Sequence, residues 1–392
     1  MRKRLNFVLV TVFVFGVIAL ASASGLVTEQ SKWTLVPAIV FSSTHDYDST
    51  HDCTVVRCDL PLFTAEIYMT GSDGTDPRRL TSNTAADLFP ALSPAGKQIA
   101  FESNRNHLDT GEPRNTGDLF LMDTDGEAQT LLTRGSSPIW SPDGKYIAFH
   151  ASATYYASGG LETGLPIRSD PGAPTSDSDI FVANVDDLMS GAVSPVNLTN
   201  SPETIDEDAD WSPVAAQIAF SSHLSGADLS HTEIYVTNVN GTGQQRLTSN
   251  DYEERAPAWS PDGRRIAFMC SLGPINPRTG QRFFEICLMN ADGSGQVQLT
   301  YNSTLNASPS WSPDGRKIVL HRNPQPLELW VIDLADLTCS ADGSCTCNNS
   351  ALDNPTNSCA TPLTPLFQDG GVLGQNVFPK WGVLRVKVSV KK

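Results

Sequence analysis

The phrase WSPDGKYIAFH at 140–150 recurs as WSPVAAQIAFSSH at 211–223, WSPDGRRIAFMC at 259–270 and WSPDGRKIVLH at 311–321. A catalytic motif serves one active site and needs one copy. A phrase repeated along a chain marks a structural unit that packs against copies of itself. Each unit reads in four parts. The first ends in Pro-x-Trp-Ser-Pro-Asp-Gly, and the second is Ile-Ala-Phe with polar residues after it. The third is an acid followed by alternating apolar positions, as in EIYVTNVNG at 233–241, and the fourth ends in Leu-Thr, as in QQRLT at 244–248. The runs are short, β-branched or aromatic, and bounded by Gly, Pro, Asn and Asp, which is the pattern of strands. Pro-Asp-Gly presets a tight turn, and Asn-Gly or Asp-Gly signals a hairpin. One unit is therefore a four-stranded antiparallel meander, with strands A to D.

Counting sets the architecture. Leu-Thr closes strand D six times, at Leu80, Leu132, Leu198, Leu247, Leu299 and Leu363. An acid opens strand C six times, at Glu66, Asp118, Asp179, Glu233, Glu285 and Glu328. Strand B also appears six times, but only five strands A precede their own strand B; the sixth is VFPKWG at 377–382. A C-terminal strand that completes the N-terminal unit closes a ring and removes open sheet edges. The expectation is an all-β chain folded as a six-bladed β-propeller, closed by pairing of its N- and C-terminal strands. The alternation in VLRVKVSV at 383–390 suggests one more strand.

The W-S-P-D-G-x-x-I-A-F phrases resemble the WD40-like PD40 repeats of TolB-type propellers, over roughly 36–390. The resemblance implies the propeller fold. TolB proteins carry an α/β domain ahead of the propeller; with blades expected from residue 36, none is expected here. Two units depart from the phrase, with LSPAG in the second and WSPVAAQ in the fourth. The tryptophans at 140, 211, 259, 311 and 381 read as packing units between blades.

Arg2, Lys3 and Arg4, the apolar run 5–21 and the small residues at 21–23 read as an export leader cleaved after Ala23. A short linker at 24–35 and the propeller at 36–392 follow. Loss of the leader takes the formal charge from −16 to −19. Such a surface repels phosphate backbones, so nucleic acid is not an expected partner. The eight cysteines fit an oxidising compartment. Cys270 and Cys287 fall on neighbouring strands and are expected to pair. Cys53 and Cys58 are close in sequence, and Cys339, Cys345, Cys347 and Cys359 allow three pairings. The CTC spacing at 345–347 does not suit a zinc knuckle.

Long B-to-C connections at 44–64, 102–117, 150–178 and 269–283 share one face with the D-to-A crossings. Loops on a rigid scaffold commonly carry binding, and Tyr155 and Tyr156 in the third unit would stack on a sugar or dock a partner. The crossings ETIDEDADW and DYEERAPAW are acidic. Asp206, Glu207, Asp208 and Asp210 would gather Ca²⁺, a cation that takes oxygen ligands, or form a solvated acidic rim. Glu253, Glu254 and Asp87 would face the same channel mouth. His45, His150, His223 and His321 follow strand B and would face the same side, where some propeller lyases of pectic oligosaccharides hold a metal–histidine centre. Neither G-x-S-x-G nor H-E-x-x-H occurs. The expected function is a monomeric, exported, non-enzymatic propeller that binds a protein or envelope component, in the periplasm or outside the cell. The alternative is a metal-dependent carbohydrate-active propeller, a glycan binder or lyase.

Overall fold

The computed structural model describes residues 30–43, 65–106, 117–152, 178–225, 231–275, 280, 282–301, 304–322, 328–339, 345–347, 360–362 and 376–390. The expected leader, Tyr155, Tyr156, His45, Cys53, Cys58 and Cys359 lie outside these residues. Six four-stranded antiparallel sheets follow one another. The first is β1 (Gln30–Ser43), β2 (Glu66–Gly71) and β3 (Arg78–Arg79), with β26 (Asn376–Val390) hydrogen-bonded to β1 as its inner strand. The second is β4 (Asp87–Leu92), β5 (Gln98–Ser103), β6 (Asp118–Asp123) and β7 (Thr130–Arg134). The third is β8 (Ser136–Trp140), β9 (Tyr146–Ala151), β10 (Asp179–Asn184) and β11 (Val196–Asn197). The fourth is β12 (Thr204–Trp211), β13 (Gln217–Leu224), β14 (Glu233–Asn238) and β15 (Gln245–Arg246). The fifth is β16 (Glu254–Trp259), β17 (Arg265–Cys270), β18 (Glu285–Asn290) and β19 (Val297–Gln298). The sixth is β20 (Asn306–Trp311), β21 (Lys317–Arg322), β22 (Glu328–Asp333) and β25 (Ala360–Pro362), with the hairpin β23 (Leu337–Cys339) and β24 (Cys345–Cys347) inserted before β25. The chain is thus a six-bladed propeller whose C-terminal strand completes the first blade. Residues 37–384 form one compact unit that holds the blades, and the described residues 30–36 and 385–390 fall outside it. The alternation at 383–390 continues β26 and does not begin a new strand.

The repeated phrase is explained by its hydrogen bonds. In the Ser-Pro-Asp-Gly turn, Ser141 Oγ donates to Asp143 Oδ1 at 2.7 Å and accepts from Tyr146 N at 2.9 Å. Ser260 with Asp262 and Ser312 with Asp314 repeat the first bond at 2.6 Å. These bonds hold the three aspartates below the usual carboxylate range. Gly144, Gly263 and Gly315 take φ of +70, +66 and +68°, where a side chain is strained.

The tryptophans sit between blades. Trp140 Nε1 donates to Ala91 O at 3.0 Å, Trp211 to Ile139 O at 3.2 Å and Trp311 to Ala258 O at 3.0 Å, each on the preceding blade's inner strand. The core also lies between blades: Ala100, Leu119 and Leu121 of the second blade pack with Trp140, Ile147 and Phe149 of the third. The Leu-Thr pair fastens strand D to strand C. Thr81 Oγ accepts from Ile67 N at 2.9 Å and donates to Glu66 at 2.5 Å. Thr300 makes the same two contacts, with Ile286 N and Glu285. The acid opening strand C is therefore part of the blade's framework.

Cys270 and Cys287 form a disulfide across β17 and β18, with Cα atoms 5.9 Å apart. One element was not expected. The third blade replaces its C-to-D hairpin with helix α1 (Val185–Ser190). Asn184 caps the helix by accepting from Asp186 N and Asp187 N, and Gly191 ends it at φ +67°.

Candidate functional site

Five of the six inner strands break their ladder at the same place. Register shifts fall at Leu88/Ala91, Ser136/Ile139, Glu207/Asp210, Arg255/Ala258 and Ala307/Ser310. At each bulge one non-glycine residue has positive φ: Phe89 (50°), Ser137 (52°), Asp208 (57°), Ala256 (49°), Ser308 (52°) and, in β26, Phe378 (52°). Side chains rarely adopt this backbone, and an aromatic residue there is a clear outlier. Bulges re-aim side chains and are frequent beside active sites. The six residues converge on a cavity of about 70 Å³, completed by the prolines that follow five of them, by Ala209 and by Lys380.

The walls are unlike one another. Phe89 and Phe378 pack with ring centroids 4.0 Å apart, and His321 meets Phe378 edge-on at 5.8 Å. Across from them lies Asp208. Ser221 Oγ is 3.5 Å from its Oδ2 and also accepts from Ala256 N at 3.0 Å. Burial raises the Asp208 carboxyl, and Glu207 adds to the rise; His150, Arg255 and Lys380 oppose it. Glu102 is pushed up to about 7, chiefly by burial. Ser136 Oγ donates to it, and Gly117 makes room, since a Cβ there would lie 2.3 Å from Glu102 Cγ.

The four acids of the fourth crossing diverge. Asp206 is fully buried and accepts from Ser222 Oγ at 2.6 Å. Glu207 reaches Arg255 Nη1 at 3.9 Å. Asp208 enters the cavity. Asp210 meets Lys380 Nζ at 3.6 Å and accepts from Trp259 N at 2.7 Å. Asp87 and Glu254, which start β4 and β16 as Asp206 nearly starts β12, are also buried in their crossings. Arg105 Nη2 donates to both oxygens of Asp87 at 3.1 Å, and Asn250 Nδ2 donates to Glu254 at 2.6 Å. Glu253 accepts from Arg255 Nε. Among the described residues, no three His, Cys, Asp or Glu side chains gather as a metal ion requires. His223 is held below the usual imidazole range by burial and by Arg255, and burial takes His321 down to about 4. The His321 ring is therefore neutral at pH 7.

Sequence reasoning placed Asp208 in the channel but missed Phe89, Phe378, Lys380, Arg255 and Glu102. A signal was present. In FPAL, SPIW, DADW, APAW, SPSW and FPKW, Pro is second in five and Trp is last in five, while the first and third residues vary. The first residue lines the cavity in every blade.

Residues 174–334 match the TolB beta propeller domain family, PD40. An uncharacterized protein of Agrobacterium fabrum is 25% identical over 196 residues, 50% of this chain and 53% of that protein. The Tol-Pal system protein TolB of Rhizorhabdus wittichii is 44% identical over 54 residues, 13% of this chain and 12% of that one. The chain thus spans about half the length of the first of these relatives and a small part of the second. Among solved structures, TolB from Acinetobacter baumannii superposes with a TM-score of 0.55 at 17% identity, over 88% of this chain and 66% of that one. Repeat and ring closure agree on the fold: this chain is a six-bladed β-propeller, and its residues 174–334 match the TolB beta propeller domain.

Proposed function

We propose that this propeller is exported and acts without catalysis, as a rigid scaffold that holds a protein partner at the channel mouth. The carrying observation is the cavity at which six strained inner-strand residues converge. At about 70 Å³ it is well below the roughly 300–1,000 Å³ of ordinary small-molecule pockets. It suits the tip of an inserted segment, not a sugar chain. The rim of Arg255, Glu207 and Glu253 offers charged contacts, and the closed ring is already ordered, so binding orders little. The leader-like N-terminus and the Cys270–Cys287 bond support an oxidising compartment. Among the described residues no helix is long and apolar enough to cross a membrane.

The test fills the cavity. Ser308→Phe places at the sixth bulge the residue that two other blades already carry there, so the fold tolerates it. Wild type immobilised against an envelope extract should retain a stoichiometric protein that Ser308→Phe releases, with unchanged melting. Equal retention by both would move the partner site elsewhere.

A further inference from the structure

We propose that the cavity seats one alkylammonium group, a lysine side chain or a chain N-terminus, against the Asp208 carboxylate. This deepens the partner-binding reading and rests on it. Among the described residues, Lys380 and Arg255 beside the cavity have acidic partners, and Asp208 has no contacting cation. Lys380 is engaged by Asp210, whose other oxygen is fixed by Trp259 N. Arg255 is engaged by Glu253 and Glu207. Among the described residues Asp208 makes no ion pair within 4.0 Å, and its one hydrogen bond there, from Ser221, stands at the 3.5 Å limit. A carboxyl group with no cation in direct contact, set among phenylalanine and proline side chains, favours an incoming one.

The surroundings select the kind of cation. Ser137, on the neighbouring blade, lines the same cavity, and its Oγ is buried with no hydrogen-bond partner among the described residues. Together with the carboxylate it offers acceptors to an ammonium, which has three N–H donors. Phe89 and Phe378 present aromatic surface that attracts an organic cation. Pro138, Pro257 and Pro309 suit the methylene stem of a long side chain. A calcium ion takes six to eight oxygens, and the described residues bring no set of three ligating side chains together.

The experiment compares Nα-acetyl-lysine amide with Nα-acetyl-norleucine amide, titrated by calorimetry into the full chain. The two probes differ by the ammonium. The lysine probe should bind about tenfold more tightly, as expected for a charged hydrogen bond. Asp208→Asn should erase that preference while keeping the fold, because asparagine is among the residues that best accept positive φ. Equal binding of the two probes to wild type, or a preference that survives Asp208→Asn, would overturn the proposal. So would displacement of the lysine probe by submillimolar calcium chloride acting through Asp208. Partner retention that Ser308→Phe abolishes, with no probe preference, would leave the scaffold reading standing and remove the ammonium seat. A probe preference with no retained partner would do the reverse.

Discussion

Glu254 shows how one acid changes meaning with its neighbours. Asn83 joins Glu66 to Asp87 through its N and Nδ2, at 2.6 and 2.7 Å, and Arg105 neutralises Asp87. Asn250 joins Glu233 to Glu254 in the same way, at 3.2 and 2.6 Å, but Leu272 stands where Arg105 would be. Arg246 pairs with Glu233 alone. The Oε2 atoms of both glutamates are buried without another donor. Burial first, and then the hydrogen bond that protonated Glu254 donates to Glu233, pushes Glu254 up to about 8 from an ordinary 4.5. The folded state therefore binds this proton more tightly than the unfolded chain. Its contribution is full below pH 4.5 and is lost as pH rises through 8. Urea denaturation at pH 5 and pH 8.5 should show wild type losing stability with pH and Glu254→Gln losing less. Parallel losses would contradict the shared proton. The sequence displayed Asp87, Asp206 and Glu254 as rim acids because acidity is legible and burial is not. Only Asp208 reaches the cavity, since the bulge at 207–210 re-aims it.

Strands and turns were the most legible elements, because each phrase carries both its periodicity and its turn chemistry. The tryptophans permit an internal comparison. The indole N–H of Trp311 bonds a neighbouring blade, whereas that of Trp259 has no partner. Trp311→Phe should cost about 1 kcal/mol more than Trp259→Phe, the value of one buried hydrogen bond. Equal losses in denaturation would show that the N–H contributes nothing. The Cys270–Cys287 bond closes a 17-residue separation, and the paired Ser variant should lose roughly 3 kcal/mol. A melt unchanged by that variant would remove the bond as a stabiliser of the fifth blade. Helix α1 was missed because six residues are too few for periodicity to declare; its Asn184 cap and Gly191 stop were the available signs.

Ring closure was legible because a strand A was missing at one end of the chain and spare at the other. Removing 376–392 should open the first blade and markedly lower the melting temperature; an unchanged melt would refute closure. The partner was not legible, because the fold serves many functions and the distinguishing residues occupy one variable position per blade. The mouth around that position is where the account is most exposed. A photoreactive benzoylphenylalanine at Glu253, on the rim and outside the cavity lining, should crosslink a protein in the envelope extract, while the same group at Tyr146, after an A-to-B turn on the opposite face, should not. Crosslinks from 146 with none from 253 would contradict a channel-mouth partner site.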